Sequence, residues 1–295
     1  MENIKNNRVK SFIVVGLIYI LASMLGVGVY ILLKTPFWLS LFIADVVATA
    51  FVFLFSLLFK NASVYDPYWS VQPLVIVMAF AFCNKLSAIS IVIIIAVILW
   101  GIRLTANWCY TFQNLNWQDW RYTMLKEKTG KFYPIINFVG IHFVPTLVVY
   151  FCILPVVFVL KYQPDNNIWG FVFIAISYAS VILQGVADFQ MHKFRKNRTT
   201  EKFIRTGLWK YSRHPNYLAE ILMWWGVGVS SVFVLGINFW YLIIGAVFNT
   251  ILFLCVSIPM ADKKQSKKEG FIEYKNQTRM LLPMKKFNVK SNKNS

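Results

Sequence analysis

Polar and apolar residues fall in long blocks along this chain, not at short intervals. Apolar runs occupy residues 11–33, 37–59, 87–106, 134–160, 168–187, 217–235 and 238–258. A bilayer core about 30 Å thick is crossed by roughly 20 apolar residues in a helix, so each run predicts a membrane span. An eighth run, residues 73–82, is short: extended to Asn84 it spans a thinned bilayer, and otherwise it is re-entrant. The expected count is therefore seven or eight. Lipid offers the backbone no hydrogen-bonding partner, which excludes open sheet and predicts an all-α, polytopic transmembrane helix bundle.

Charge gives the expected sidedness, because short cytoplasmic loops retain Lys and Arg. With eight spans and both termini cytoplasmic, only Lys34, Lys85 and Lys161 of the 30 basic residues fall outside, and that asymmetry favours eight. The organisation expected is N-terminal transmembrane helices over 1–60, a main membrane domain over 61–283 and a disordered basic tail over 284–295. The first apolar run is too long for a secretory signal and lacks a small-residue cleavage site, so it reads as a retained helix.

Composition closes off other classes. Of the 295 residues, 58% are hydrophobic and 14% charged, whereas soluble domains carry about a quarter charged residues. A net charge of +18 resembles a nucleic-acid footprint, but a chain this apolar gathers its charge at the membrane edge, so the bilayer and not nucleic acid is the expected partner. The densest basic blocks are 121–131, 193–213 and the segment from Lys263 onward. Cysteines at 83, 109, 152 and 255 have no metal or disulfide spacing, and the three histidines are scattered, so no metal site is expected.

Candidate chemistry concentrates between Gln184 and Gly226. Asp188, Gln190, His192, Lys193 and Arg195 end one apolar helix, and Arg213, His214, Asn216, Tyr217 and Glu220 begin the next. Pro215 suits a first helical turn, and the N–H groups of that turn favour a phosphate or carboxylate. Asn216, Glu220 and Trp224 recur at four-residue intervals on one face, and Glu220 lies a turn inside the apolar run, where a carboxyl needs a partner. The tail from Pro259 to Pro283 is either an amphipathic surface helix or a cover over a cofactor, with Lys264 or Arg279 on phosphates and Tyr274 on a ring. Asp66 and Tyr68, between the second and third spans, and Asp45, in mid-span, complete the candidates.

The blocks GLWKYSRHPNYLAE and ADFQMHKFRKN, with SIPMADKK and EYKNQTRMLLP downstream, resemble the steroid 5-alpha-reductase-like membrane proteins, in particular the DUF1295 branch. The resemblance covers about Tyr65 to Pro283. It implies a helix bundle that binds NADPH and reduces an activated C=C bond in a lipid such as a 3-oxo-4-ene steroid. It also implies a cofactor pocket built by Asp188, Arg195, Tyr211, Asn216, Glu220, Tyr274 and Arg279, with Arg213, His214 and Tyr217 in the RHPNY form of the motif. Gln184 stands where some steroid reductases have Asn, and the tail is richer in Lys and poorer in His. The family's substrate-polarising Glu and Tyr have no clear counterpart in the N-terminal half.

Hydride addition to an enone requires stabilised charge on the carbonyl oxygen, which a neutral acid or hydroxyl supplies. Asp66 with Tyr68 is the catalytic pair expected, with Asp45 the other acid. The competing enzyme is an S-adenosylmethionine-dependent methyltransferase resembling isoprenylcysteine carboxyl methyltransferase; the basic tail favours a phosphate-bearing dinucleotide over a sulfonium cofactor. A transporter or lipid-binding scaffold is the third class, and no internal repeat supports it. The expected location is a plasma membrane in a bacterium or the endoplasmic reticulum in a eukaryote.

Overall fold

The computed structural model describes residues 2–197 and 201–283. Its helices are, in order, α1 (Glu2–Asn6), α2 (Arg8–Leu32), α3 (Phe37–Phe59), α4 (Tyr68–Cys83), α5 (Ala88–Thr111), α6 (Trp120–Thr129), α7 (Tyr133–Ile136), α8 (Val144–Tyr162), α9 (Ile168–Asn197), α10 (Pro215–Leu235), α11 (Ile244–Leu252), α12 (Ile258–Gln265) and α13 (Phe271–Gln277). Among the described residues there is no strand, and Ser212 and Arg279 form an isolated bridge. Among the described residues, seven helical segments are long and apolar enough to cross a bilayer. The protein is an all-α, multi-pass integral membrane protein. The expected tail at 284–295 lies outside the described residues.

Helix boundaries follow local chemistry. Asn7, Ser87 and Asp119 each cap a helix by accepting a backbone N–H from the first turn. Lys60 ends α3 in the left-handed region at φ 53°, and Asn61 starts the following turn by accepting from Ser63 N. Helix α4 has 16 residues, about 24 Å at 1.5 Å per residue, and it carries Pro73 in its interior. It is too short to cross about 30 Å of hydrocarbon unaided.

Two of the seven segments are composite. Trp120–Tyr162 joins α6, α7 and α8 through a 3-10 turn and a π-segment at Asn137–Phe143; Ile237–Gln265 joins α11 and α12 through a π-segment at Phe253–Ser257. Helix α9 runs ten residues past the apolar run that predicted it. Its extension, DFQMHKFRKN, is rich in Gln, Met, Lys and Arg, which sustain a helix after hydrophobicity has stopped.

The chain divides into two compact units, one of 1–174 with 227–245 and one of 175–226 with the chain from Ala246. In the first, Val15, Ile18 and Ala22 of α2 share a core with Ala48 and Val52 of α3 and with Tyr65 and Tyr68. Lipid is as apolar as Leu, so close contact and not water exclusion holds such helices together, and small residues matter. Gly245 shows it: a Cβ there would overlap the Phe151 carbonyl and Cys152 N of α8. In the second unit, Ala187, Ile204 and Trp209 form one buried cluster and Phe203, Phe271 and Tyr274 another.

Candidate functional site

In the second unit the turn before α10 is tied to the chain's last helices by one carboxylate. Asp262 accepts from Arg213 Nη2 at 3.0 Å and from His214 Nε2 at 2.9 Å. All three residues are buried. The Arg213 guanidinium also donates to the carbonyls of Lys275 at 3.3 Å and Thr278 at 2.5 Å, and its backbone N–H donates to Arg279 O at 3.0 Å. A guanidinium and an imidazole N–H on one buried anion compensate part of its lost hydration. The His214 ring stacks on Tyr217, centroids 5.2 Å apart. The Tyr274 hydroxyl donates to Trp209 O, and its ring packs on Phe203 and Phe271. Burial raises the Tyr274 pKa, so the phenol keeps its proton and remains a donor.

Glu220 is closed into a buried set. Gln184 Nε2 donates to its Oε2 at 2.8 Å and Trp224 Nε1 to its Oε1 at 3.1 Å, while Asn249 Nδ2 lies 3.5 Å from its backbone oxygen. One turn earlier, the buried Asn216 Oδ1 makes no hydrogen bond. Of the remaining cofactor candidates, Arg195, Tyr211 and Lys264 are exposed, and Asp188 and Arg279 are half-buried. The structure thus brings Arg213, His214, Tyr274 and Arg279 together in holding the tail, and Glu220 with Gln184 within the helix pair. Sequence reading passed over Asp262; its signal was a lone acid preceding a run of lysines.

In the first unit a small pocket, with room for about one water, is lined by Asp45, Tyr65, Tyr68, Trp69, Gln72, Pro73, Ile76, Thr146, Val149, Tyr150 and Ile153. Asp45 Oδ1, Tyr68 OH and Gln72 Oε1 are buried there, with the phenol and the amide beside the carboxyl. Tyr65 OH and Thr146 Oγ1 lie 2.7 Å apart, and Thr146 Oγ1 and Thr49 Oγ1 3.0 Å apart. Asp66, paired with Tyr68 in the sequence reading, does not line this pocket. Its carboxylate accepts from Tyr122 OH, and the side chain is half-buried. Burial pushes its pKa up to about 6, against the opposing pull of Arg121 and of the Tyr122 hydrogen bond. The acid that shares the pocket with Tyr68 is Asp45. Tyr68 and Gln72 are four apart on α4, a one-face spacing that was legible in the sequence.

The family described as a protein of unknown function (DUF1295) matches residues 52–278. The chain belongs to the DUF1295 family. It is also 25% identical over 192 residues to an uncharacterised protein of Schizosaccharomyces pombe, an alignment covering 56% of this chain and 56% of that one. The chain thus matches about half the length of that relative. No solved structure matches the chain. The family match spans α4 to α13, so both the Asp262 cluster and the α4 wall of the pocket lie within it.

Proposed function

We propose that this DUF1295 protein is a membrane-embedded, NADPH-dependent reductase of an activated C=C bond in a lipid, with steroid-like enones as the substrate class. One observation supports this most: a buried carboxyl and a buried phenol, Asp45 and Tyr68, lie side by side on the wall of one pocket. A neutral acid beside a phenol stabilises charge developing on a carbonyl oxygen. No cationic residue lines the pocket, and an unpaired carboxylate is costly in hydrocarbon, so Asp45 is suited to act as the acid.

The second unit fits the cofactor in part. Exposed Arg195 and Lys264 and half-buried Arg279 suit phosphates, and Asn216 keeps an amide acceptor for a donor group. Arg213, His214 and Tyr274 are committed to the tail and would position these groups without contacting the cofactor. When bound, NADPH would supply the hydride. The test is the purified protein in lipid nanodiscs, with thermal shifts measured for NADPH, NADH and S-adenosylmethionine side by side. NADPH is expected to stabilise the parent, Asn216→Ala to remove that shift while remaining folded, and an enone lipid to be reduced with NADPH consumption. Stabilisation by S-adenosylmethionine alone would transfer the reading to a methyltransferase.

A further inference from the structure

Helix α3 buries a polar stripe. Asp45, Thr49 and Ser56 are 3%, 0% and 1% exposed, and with Val52 they follow the spacing of a single helix face. Eleven residues separate Asp45 from Ser56, about 16 Å along the axis, and α3 ends three residues later at Phe59. Buried polar groups face this stripe along its length. Asn137 Nδ2 donates to Ser56 Oγ at 3.0 Å, and His142 Nδ1 bonds to Asn137 O at 3.0 Å. A carbonyl only accepts, so Nδ1 carries the hydrogen and Nε2 is an acceptor. The His142 ring lies against Tyr65, centroids 4.6 Å apart. Tyr65 then meets Thr146, and Thr146 meets Thr49, the residue one turn from Asp45.

Interhelical hydrogen bonds also serve as membrane glue. Glue alone leaves Asn137 Oδ1 and His142 Nε2 buried without a partner, and it does not account for a hydroxyl row that continues to a carboxyl, with Tyr68 OH beside both Thr49 and Asp45 and Gln72 beside Asp45. Buried groups of this kind are commonly satisfied by ordered water. Hydroxyls accept and donate at once, so they pass protons along such a row. His142 also lies in the π-segment of the composite helix, a distortion frequent at functional sites. We infer that the stripe is a proton path, in which the hydroxyls of Tyr65, Thr146, Thr49 and Tyr68 pass a proton to Asp45 while Ser56, Asn137 and His142 line its approach from the Phe59 end of α3.

The use of that proton rests on the reductase reading. Reduction of the enone consumes one hydride from NADPH and one proton. The hydride's electron pair forms the β C–H bond, the π pair moves to the carbonyl oxygen, and Asp45 gives that oxygen its proton. The enol then takes a proton from water at its α carbon and gives its O–H proton to water, forming the ketone. Asp45 is left one proton short, and the path restores it.

The path is tested without cofactor or substrate, so its failure and that of the reductase reading are separable. Full-length protein is switched into D2O, and the infrared carbonyl band of the Asp45 acid, identified by its loss in Asp45→Asn, is followed as it exchanges. The Thr49→Val, Thr146→Val pair is expected to slow exchange at least about tenfold, equivalent to about 1.4 kcal/mol of barrier. Thr49→Ser with Thr146→Ser, which keeps both hydroxyls, is expected to exchange like the parent and so separates relay from packing. Parent-rate exchange in the valine pair, equal slowing in the serine pair, or no acid band lost in Asp45→Asn would overturn the path.

Discussion

Replacing Asp262 by Ala strands the Arg213 guanidinium. Its Nη2 loses an anion 3.0 Å away, and His214 loses a partner at 2.9 Å, all in a buried setting. Breaking one side of a buried ion pair costs about 3–5 kcal/mol. Arg213 keeps the Lys275 and Thr278 carbonyls, which reduces the expected loss to about 2–3 kcal/mol. At about 2–4 °C per kcal/mol for a large domain, the apparent Tm falls by about 5–10 °C. Intrinsic fluorescence during a temperature ramp reads that fall. Trypsin reads its location, since release of the tail opens Lys275 and Arg279 to cleavage. The double variant Arg213→Met, Asp262→Leu removes both charges and is expected to recover at least half of the loss. A single variant that melts with the parent, or a double variant worse than the two singles combined, would refute the account.

Three further outcomes follow from particular contacts. Asp66 has a folded pKa of about 6, above its unfolded value of about 3.9, so its contribution to stability falls as pH rises from about 4 to 6. Melting profiles of Asp66→Asn against the parent should differ in slope across that window and run parallel above it. Tyr274→Phe keeps the ring against Phe203 and Phe271 but leaves Trp209 O without its phenol donor, a loss of about 1–2 kcal/mol readable as a lower melting temperature. Gly245→Ala forces a methyl into the α8 backbone and is expected to cost at least about 2 kcal/mol, seen as loss of monodisperse protein on size exclusion.

The bundle was legible in the sequence because a span needs only length and apolarity. The run at 37–59 is the helix Phe37–Phe59 itself. Helix α9 was underestimated because its polar extension obeys propensity and not hydrophobicity. The π-segments at Asn137–Phe143 and Phe253–Ser257 leave no mark in an apolar pattern, since they change backbone bonding without changing residue type. The RHPNY motif places Arg213 and His214 in polar contacts. Their partners come from 48 or more residues away, as His214 does with Asp262, and no local spacing reveals them. The acid that shares the pocket wall with Tyr68 is hidden for a related reason: Asp66 is the neighbour in sequence, whereas Asp45 comes from another helix.

Helix α4, at about 24 Å, carries Tyr68 and Gln72 and stops short of a full crossing. Lipid beside it must compress or tilt to keep polar ends wet, at a fraction of a kcal/mol for each ångström of mismatch. Bilayer thickness therefore acts as a control variable on the pocket wall. Short-chain lipid relaxes the α4 ends, and long-chain lipid draws them deeper into hydrocarbon. The protein's surroundings, through acyl-chain length alone, set how firmly that wall is held.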